Sequence, residues 1–517
     1  MYLNTKKLRI KCYIILLLVA ILTSSLSMNV FADNIEKQNI NTLASSPALN
    51  LKKYDSRSSD TKLNRFGRNV ITPVKKQYRT NTCWAFSNLS VVETLLKIKY
   101  DKDFDLSEGH MAYNIDINNN LQSGGNGIAF LAYSSRLSGP VLEENYPAYT
   151  IDENNPSDFS KKEFDPERSN LLPPEDRDTF KITGDVFNKK LNVFIPNTLE
   201  FDITLENIKK CVYEFGSVSG SYYVKNDGFS KDVLGNSWRD RISVAENGIR
   251  YHYVYTKPAA ISPKVLSTNH EVAIIGWDDD VVITNNLGET AKGAFLVKNS
   301  VSAPVANDNL DYWISYESFL GKEGTYISNI IIMPKDVRLM SEDERREFIN
   351  VYNPANLASR GVVDSRVNGN LNKGINVYKR NITTPETIKY VTYYNSSEKP
   401  AKYSIYITED KDLLKENEIT LANGKKKKTL SDTSSDNWTL LSSGTFEQKG
   451  YNTLDVITPY TITDSEFALK IEIESNELGF SYRTWPTDEE MPILSYKYND
   501  GQREHYFEEL NKNFKVF

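Results

Sequence analysis

Cysteine is scarce in this chain, which has three among 517 residues. One lies in the apolar N-terminal segment, so only Cys83 and Cys211 remain beyond it. Two cysteines cannot supply the disulfide framework that stabilises small exported domains. Each of them therefore needs its own explanation, as a buried side chain or as a reactive thiol, and a Cys83–Cys211 disulfide is the alternative.

An excess of positive charge is also lacking. The 62 Lys and Arg residues are outnumbered by 68 Asp and Glu residues, for a net charge of −6. The chain therefore lacks the excess of basic residues that binds the phosphates of a nucleic acid, and we expect no nucleic-acid partner.

Long apolar runs are confined to the N-terminus. Four basic residues precede the apolar run Tyr13–Leu22, and Val30-Phe31-Ala32 offers small residues for cleavage. This pattern predicts a signal peptide over residues 1–32, with an uncleaved anchor as the alternative. We expect a secreted protein, with association with the cell surface left open and no membrane span after cleavage.

The most informative stretch runs from Thr72 to Lys97 and contains Cys83. Apolar residues recur at helical spacing from Ala85 to Leu96, which places Cys83 at the start of an amphipathic helix. The dipole of a helix start favours a thiolate. Gln77 lies six residues earlier and can donate a hydrogen bond to an oxyanion. Taken alone, a buried structural cysteine would be the preferred interpretation of Cys83.

The string from Ile71 to Ser87 resembles the active-site segment of the papain family of cysteine proteases. The family reads Cys-Trp-Ala-Phe-Ser where this chain has residues 83–87, and the spacing from Gln77 is preserved. Thr80 replaces a family cysteine that forms a nearby disulfide. The resemblance implies that Cys83 is the nucleophile and that Gln77 is the oxyanion donor.

Two further blocks resemble the same family in the same order. His270 opens an apolar run, Asn269–Asp278, and Asn299 follows 29 residues later in the string Val-Lys-Asn-Ser. The resemblance implies a Cys83–His270–Asn299 triad, in which Asn299 accepts a hydrogen bond from the far ring nitrogen of the histidine. The tryptophan that shields this bond in the family is Val301 here, and Trp313 is a candidate substitute.

A glycine-containing segment is the candidate substrate cleft. Gly124, Gly125 and Asn126 correspond in the resemblance to the cleft lining, and Asn269 lies beside the histidine. Glycine lets a bound peptide approach the backbone closely and pair with it as a strand. An ordinary turn is the alternative. The string Glu144–Tyr149 supports the cleft interpretation, because it resembles the next family block in order.

The fold class we expect is α+β, a two-lobed papain-like protease domain followed by an antiparallel β-sandwich. Five short runs of alternating apolar and polar residues beyond Phe348 predict the sandwich, at 375–378, 388–394, 403–407, 451–457 and 467–473. The expected divisions are a signal peptide at 1–32, a short leader at 33–53, the protease domain at 54–335, a charged linker helix at 336–347, the sandwich at 348–500 and a tail at 501–517.

This arrangement resembles secreted Gram-positive cysteine proteases with a lectin-like sandwich, some of which act on surface-layer proteins and bind calcium. The resemblance implies a protein or peptide substrate, a cell-surface glycan or surface protein as a further partner, and a structural calcium ion. Catalysis of this kind requires no cofactor. The metal ligands are unknown, because Asp432 and Asp436 are candidates only as acids in a loop.

We therefore expect a secreted cysteine endopeptidase. An inactive papain-like protein that serves as a surface adhesin is the first alternative, and Val301 is the feature that favours it. A transglutaminase-like acyltransferase is the second. Asn299 and Gln77 argue against it, because those enzymes use an aspartate as the third member of the triad.

Overall fold

A computed structural model describes part of the chain, and all that follows concerns that part. The described residues are 46–77, 80–113, 124–135, 139–145, 193–222, 242–244, 250–252, 268–284, 290–300, 311–320, 330–341, 361–362, 372–379, 384–395, 399–411, 416–420, 426–430, 437–474, 481–482, 495–498 and 514–516. The chain divides into two compact units, Met1–Pro47 and Ala48–Phe517. The predicted signal peptide and residues 33–45 of the leader lie outside the described residues.

Helices are few in these ranges. They are α1 Cys83–Tyr100, α2 Glu108–Tyr113, α3 Gly127–Ser135, α4 Leu205–Phe215 and α5 Tyr316–Leu320, with 3-10 turns at Pro47–Asn50 and Glu143–Asn145. None of the described helices is long and apolar enough to cross a bilayer.

Strands make up most of the remaining structure. They are β1 Lys53–Asp55, β2 Val193–Phe194, β3 Thr198–Asp202, β4 Val218–Tyr222, β5 Ile242–Val244, β6 Arg250–His252, β7 His270–Thr284, β8 Thr290–Lys298, β9 Asp311–Ser315, β10 Ile330–Pro334, β11 Arg338–Leu339, β12 Gly361–Val362, β13 Asn372–Lys379, β14 Glu386–Asn395, β15 Ala401–Thr408, β16 Glu416–Thr420, β17 Lys426–Leu430, β18 Thr439–Phe446, β19 Gly450–Ile462, β20 Glu466–Glu474, β21 Ser481–Tyr482, β22 Ser495–Tyr498 and β23 Phe514–Val516.

Helix α1 is central rather than amphipathic, so that part of the prediction was wrong. Every residue from Trp84 to Leu96 is buried, including the polar side chains of Asn88 and Glu93. The helix ends at Asp101, whose φ of 52° is in the left-handed region and whose N–H bonds to Lys97 O. Because neighbours cover α1 on all sides, its polar residues must find partners inside the protein.

A seven-stranded sheet packs against α1 and is ordered β1-β7-β8-β9-β6-β5, with β4 also paired to β7. Strand β7 pairs with β4 through His270–Ile274 and with β1 through Gly276–Asp278. Strand β8 runs antiparallel to β7 and ends at Lys298. The sheet therefore brings the first residue of β7 and the residue after β8 to the same end.

The C-terminal half is the expected antiparallel β-structure. A five-stranded sheet has the order β18-β15-β20-β13-β22, and a three-stranded sheet has the order β19-β14-β23. Their core is apolar, formed by Ile405, Ile407, Phe467, Leu469, Ile471 and other buried side chains. These strands contain all five runs on which the sandwich prediction rested.

Several boundary details differ from the expectation. The predicted tail 501–517 contains β23, which pairs with β14 through Val516 and Val391. The predicted linker helix 336–347 contains strand β11, which pairs with β2, and its residues 342–347 lie outside the described ranges. Lys53, assigned to the leader, pairs with Asp278. In each case, the difference arises because a short strand pairs with a strand that is distant in the sequence.

Candidate active site

Cys83 is the first residue of α1, as predicted. The N-cap residue Thr82 accepts backbone hydrogen bonds from Ala85 and Phe86 at 2.9 and 3.2 Å, but it gives no side-chain cap. Cys83 is partly buried, Cys211 is fully buried on α4, and both are free thiols, which rules out the disulfide alternative. Since the orphan N–H groups of a helix start favour an anion, the position suits a thiolate.

His270 and Asn299 are brought together by the two neighbouring strands. His270 Nε2 lies 2.9 Å from Asn299 Oδ1. An amide oxygen can only accept, so Nε2 carries the hydrogen and Nδ1 is left as an acceptor. The N–H of Ser300 also donates to Asn299 Oδ1 at 2.9 Å. The amide is therefore fixed, and it sets the orientation and tautomer of the imidazole.

The two reactive groups are neutral when each is considered alone. Burial raises the pKa of the Cys83 thiol to about 11, the Glu271 carboxylate acts in the same direction, and the backbone amides of Glu271 and Trp84 oppose it. Burial lowers the pKa of His270, against the bond to Asn299. No Cys83–His270 hydrogen bond occurs among the described residues. Transfer of the thiol proton to the imidazole creates both charges together, so each charge stabilises the other.

Gln77 is held from both ends of its amide. Its Nε2 donates to Thr80 O at 2.8 Å, and its Oε1 accepts from Ser300 Oγ at 2.7 Å. The backbone N–H of Gln77 also donates to Ser300 O at 2.7 Å, and the residue is 6% exposed. One hydrogen of Nε2 remains for another acceptor. Ser300 thus links Gln77 to its own chain neighbour Asn299, since it is hydrogen-bonded to both side chains.

A tyrosine beside the histidine, and a second tyrosine bonded to the first, were not found from the sequence. Tyr222, paired with His270 across β4 and β7, presents its ring in a T-shaped contact at 5.6 Å. Its hydroxyl lies 2.7 Å from the hydroxyl of Tyr312. Trp313, the candidate substitute for the missing tryptophan, packs in the apolar cluster around Leu296 instead. The available signal was a tyrosine in a short apolar run that could pair with the histidine strand.

Glu271 is the other residue that the sequence analysis missed. It follows His270 directly, is 6% exposed and accepts hydrogen bonds from Asn88 Nδ2 at 2.7 Å and Ser219 Oγ at 2.5 Å. Burial raises the pKa of this carboxyl to about 7, against the hydrogen bonds from Ser219, Asn88 and Ser221. The signal in the sequence was an acidic residue inside an apolar strand, because a glutamate is rarely buried unless it has partners.

The four candidate cleft residues differ in their surroundings. A Cβ on Gly125 would lie 2.3 Å from the ring of Trp84, the residue after Cys83, whereas Gly124 has open space and a φ of +71°. Asn126 accepts from Ala129 N at 3.2 Å and caps α3. Asn269 is exposed, and its N–H donates to Tyr222 O at 3.2 Å. Gly125 therefore lies against the residue that follows Cys83, and Asn126 has a local structural role.

A metal site is not apparent in the described ranges, where no group of three or more metal-binding side chains occurs. Asp432 and Asp436 lie outside those ranges, as do Val301 and the Tyr146–Tyr149 part of the cleft block.

Comparison with known proteins defines the class. A model of the papain family of cysteine proteases matches residues 56–315, just over half of the chain. The viral cathepsin of Cydia pomonella granulosis virus is 42% identical over 84 residues, which are 16% of this chain and 24% of that protein. A KDEL-tailed cysteine endopeptidase of Arabidopsis thaliana is 34% identical over 89 residues, with the same coverage. The chain thus spans about a quarter of the length of the curated relatives it matches.

Solved structures extend the likeness beyond the protease region. The cysteine protease and lectin-like domains of Cwp84, a surface layer associated protein of Clostridium difficile, match with a TM-score of 0.56 at 20% identity, over 86% of each chain. The clostridial cysteine protease Cwp84 after propeptide cleavage matches with a TM-score of 0.58 at 20% identity, over 86% of this chain and 96% of that one. The fold is therefore a papain-like protease domain followed by a lectin-like β-sandwich.

The family match includes the cysteine at the start of α1 and the hydrogen-bonded His270 and Asn299 at one end of the sheet. The chain belongs to the papain family of cysteine proteases. The predicted family and fold class are thereby confirmed.

Proposed function

We propose that this protein is a secreted cysteine endopeptidase that hydrolyses peptide bonds of proteins. The hydrogen bond between His270 and Asn299 carries the proposal, because it prepares Nδ1 to accept a proton while Cys83 lies at the start of α1. The nucleophile would be Cys83, the general base and acid His270, and the orienting residue Asn299.

The first half of the reaction forms an acyl-enzyme. The Cys83 thiol gives its proton to His270 Nδ1, and Sγ attacks the peptide carbonyl carbon. The remaining Nε2–H of Gln77 and the backbone N–H of Cys83 receive the oxyanion. When the C–N bond breaks, His270 returns the proton to the leaving amine, and a thioester remains on Cys83.

The second half releases the product. His270 takes a proton from water, the hydroxide attacks the thioester carbonyl, and Sγ leaves as the thiolate. No metal or cofactor takes part in these steps. Gly124 and Gly125 supply backbone that an extended peptide can pair with, and Asn269 lies at the same end of β7.

The substrate we propose is a cell-surface or surface-layer protein. This step rests on the fold shared with Cwp84, which is described as surface layer associated. A cell-surface glycan and a structural calcium ion are proposed for the lectin-like sandwich. A rise in the Tm of the full chain with added calcium, reversed by a chelator, would support the ion, and an unchanged Tm would contradict it.

Mass spectrometry after treatment with an epoxysuccinyl cysteine-protease inhibitor tests the proposed function. We expect one adduct on Cys83, loss of casein hydrolysis in parallel, and neither adduct nor hydrolysis in Cys83→Ala. Cys211→Ala is the matched control and should be labelled like the natural protein, because Cys211 is 1% exposed. A folded protein without an adduct would overturn the proposal, and a glycan-binding screen would then test the adhesin alternative.

A further inference from the structure

A carboxyl group lies buried within the candidate active site, where the mechanism above does not use it. Glu271 extends from β7 into the space between α1 and β4. Two side chains of this small cluster, Asn88 and Ser219, donate to the same oxygen, Glu271 Oε1. Asn88 is 2% exposed and Ser219 is 7% exposed. Glu271 itself is 6% exposed, so its carboxyl is largely removed from water.

The donors around Glu271 carry no charge. From α1, Asn88 Nδ2 donates to Glu271 and also to Trp84 O at 2.8 Å. From β4, Ser219 donates to the carboxyl, and Ser87 Oγ lies 2.7 Å from Ser219 Oγ. Neutral donors stabilise a carboxylate less than a cation does.

Cations are present nearby but belong to other partners. Lys298 of β8 and Lys75 line the same cavity of about 10 Å³ as Glu271. Lys298 donates to Thr72 and Ser90, and Lys75 pairs with Glu93, Asp105 and Glu108. None of the ion pairs in the described ranges includes Glu271. Of the other titratable groups nearby, Cys83 of α1 is hydrogen-bonded to the backbone of Glu271, His270 is its chain neighbour, and Tyr222 of β4 contacts His270.

Glu271 lies next to the nucleophile, because its backbone N–H is hydrogen-bonded to the Cys83 sulfur. After burial, its carboxylate is the largest influence that raises the pKa of the Cys83 thiol, while its backbone N–H lowers that pKa. One residue thus supplies an amide that favours the thiolate and a carboxylate that disfavours it. The balance depends on whether the carboxyl is protonated.

We propose that Glu271 is a positioning residue that must be protonated for Cys83 to act as a thiolate, and that its ionisation sets the alkaline limit of activity. The proposal rests on the proposed function, since it assigns a control to the same nucleophile. Below neutral pH, the carboxyl is neutral and acts as a hydrogen-bonding group. Above neutral pH, its negative charge opposes the thiolate, so the fraction of reactive enzyme falls.

The rate of Cys83 alkylation by iodoacetamide, measured from acid to alkaline pH on the full chain, tests this proposal. Glu271→Gln keeps the shape and the Oε1 acceptor but cannot ionise. Its rate should equal that of the natural protein at acid pH and exceed it by about tenfold or more at alkaline pH, because a close like charge shifts a pKa by about one unit or more. The alkaline limit of kcat/KM should move upward in the same variant.

Two further variants make the test specific. Ser219→Ala removes a donor that stabilises the Glu271 carboxylate. In this variant, the alkylation rate should therefore fall below that of Glu271→Gln at a higher pH than it does in the natural protein. Glu93→Gln changes another buried acid of α1, which contacts Thr72 and Lys75 instead, and should leave the pH dependence of alkylation unchanged.

A constant ratio between Glu271→Gln and the natural protein at all pH values would overturn the proposal and indicate a purely structural acid. An unreactive Cys83 in the natural protein would overturn both this proposal and the proposed function. Reactive Cys83, abolished hydrolysis in Cys83→Ala and no pH effect of Glu271→Gln would overturn this proposal alone.

Discussion

The interiors of the protease domain and of the β-sandwich are built differently. Helix α1 buries Asn88, Glu93 and Thr94 in the middle of the protease domain, and Glu271 and Lys298 lie beside it. The core cluster of the sandwich consists of aliphatic and aromatic side chains. An apolar core stabilises by burial alone, whereas a polar interior contributes only when each group is paired. Among the described residues, the protease domain therefore buries carboxyl and ammonium groups beside its active site, whereas the buried polar side chains of the sandwich are mostly neutral, with Lys470 as the charged exception.

The largest expected effect is on stability, when a buried charge is removed from the protease domain. Glu93 is fully buried and accepts from Lys75, Thr72 Oγ1 and the N–H of Leu106 at 2.9, 2.8 and 2.9 Å. We expect Glu93→Ala to lower the free energy of unfolding by about 3–5 kcal/mol, because it leaves buried donors without their acceptor. Urea denaturation measures the change.

An exposed ion pair in the sandwich provides the control for that variant. Glu474 faces Lys402 at 3.7 Å, and both side chains are more than half exposed. Glu474→Ala should cost less than about 1 kcal/mol. Equal losses in the two variants would mean that the buried network has no special role in stability.

The second prediction moves from stability to chemistry. Gln77→Ala removes the side-chain donor proposed for the oxyanion, so kcat should fall by about 10²–10³-fold. Ser300→Ala deletes the hydroxyl bonded to Gln77 Oε1 but leaves Nε2 in place, so its loss should be smaller. Hydrolysis of a small peptide at saturating concentration measures both. An unchanged kcat in Gln77→Ala would remove Gln77 from the mechanism.

The third prediction concerns the apolar core. Leu469 of β20 is fully buried in the sandwich cluster. Leu469→Ala should lower the free energy of unfolding by about 2–5 kcal/mol, through lost burial and the cavity that remains. The folded variant should keep the natural kcat/KM on a small peptide. A loss of activity in folded protein would show that the sandwich acts on the active site.

The sequence predicted well those elements whose pattern is local. Helix α4 is an example, because its apolar spacing and its N-cap at Thr204 lie within one segment of the sequence. The apolar run that His270 opens is another example, because it forms strand β7. The five expected sandwich runs were found for the same reason, since alternation is visible within each strand.

What the sequence did not predict depends on partners far along the chain. Strand β23 exists through pairing with β14, more than a hundred residues earlier, and β11 through pairing with β2. Neither short segment has an alternating pattern long enough to be noticed. Helix α1 was expected to have a polar face toward water, but tertiary packing covers that face. The importance of Tyr222 and Glu271 likewise follows from register between strands.

The smallest predicted effect concerns the ring beside the histidine. Tyr222→Phe keeps the T-shaped contact with His270 but deletes the hydroxyl that lies 2.7 Å from that of Tyr312. We expect a loss of about 0.5–1.5 kcal/mol in the free energy of unfolding, the usual worth of one hydrogen bond, with a nearly natural kcat. Tyr222→Leu removes the ring contact too and should lower kcat further, because the imidazole loses the aromatic side chain packed against it. If both variants lowered kcat equally, the hydroxyl pair rather than the ring would be what holds His270 in place.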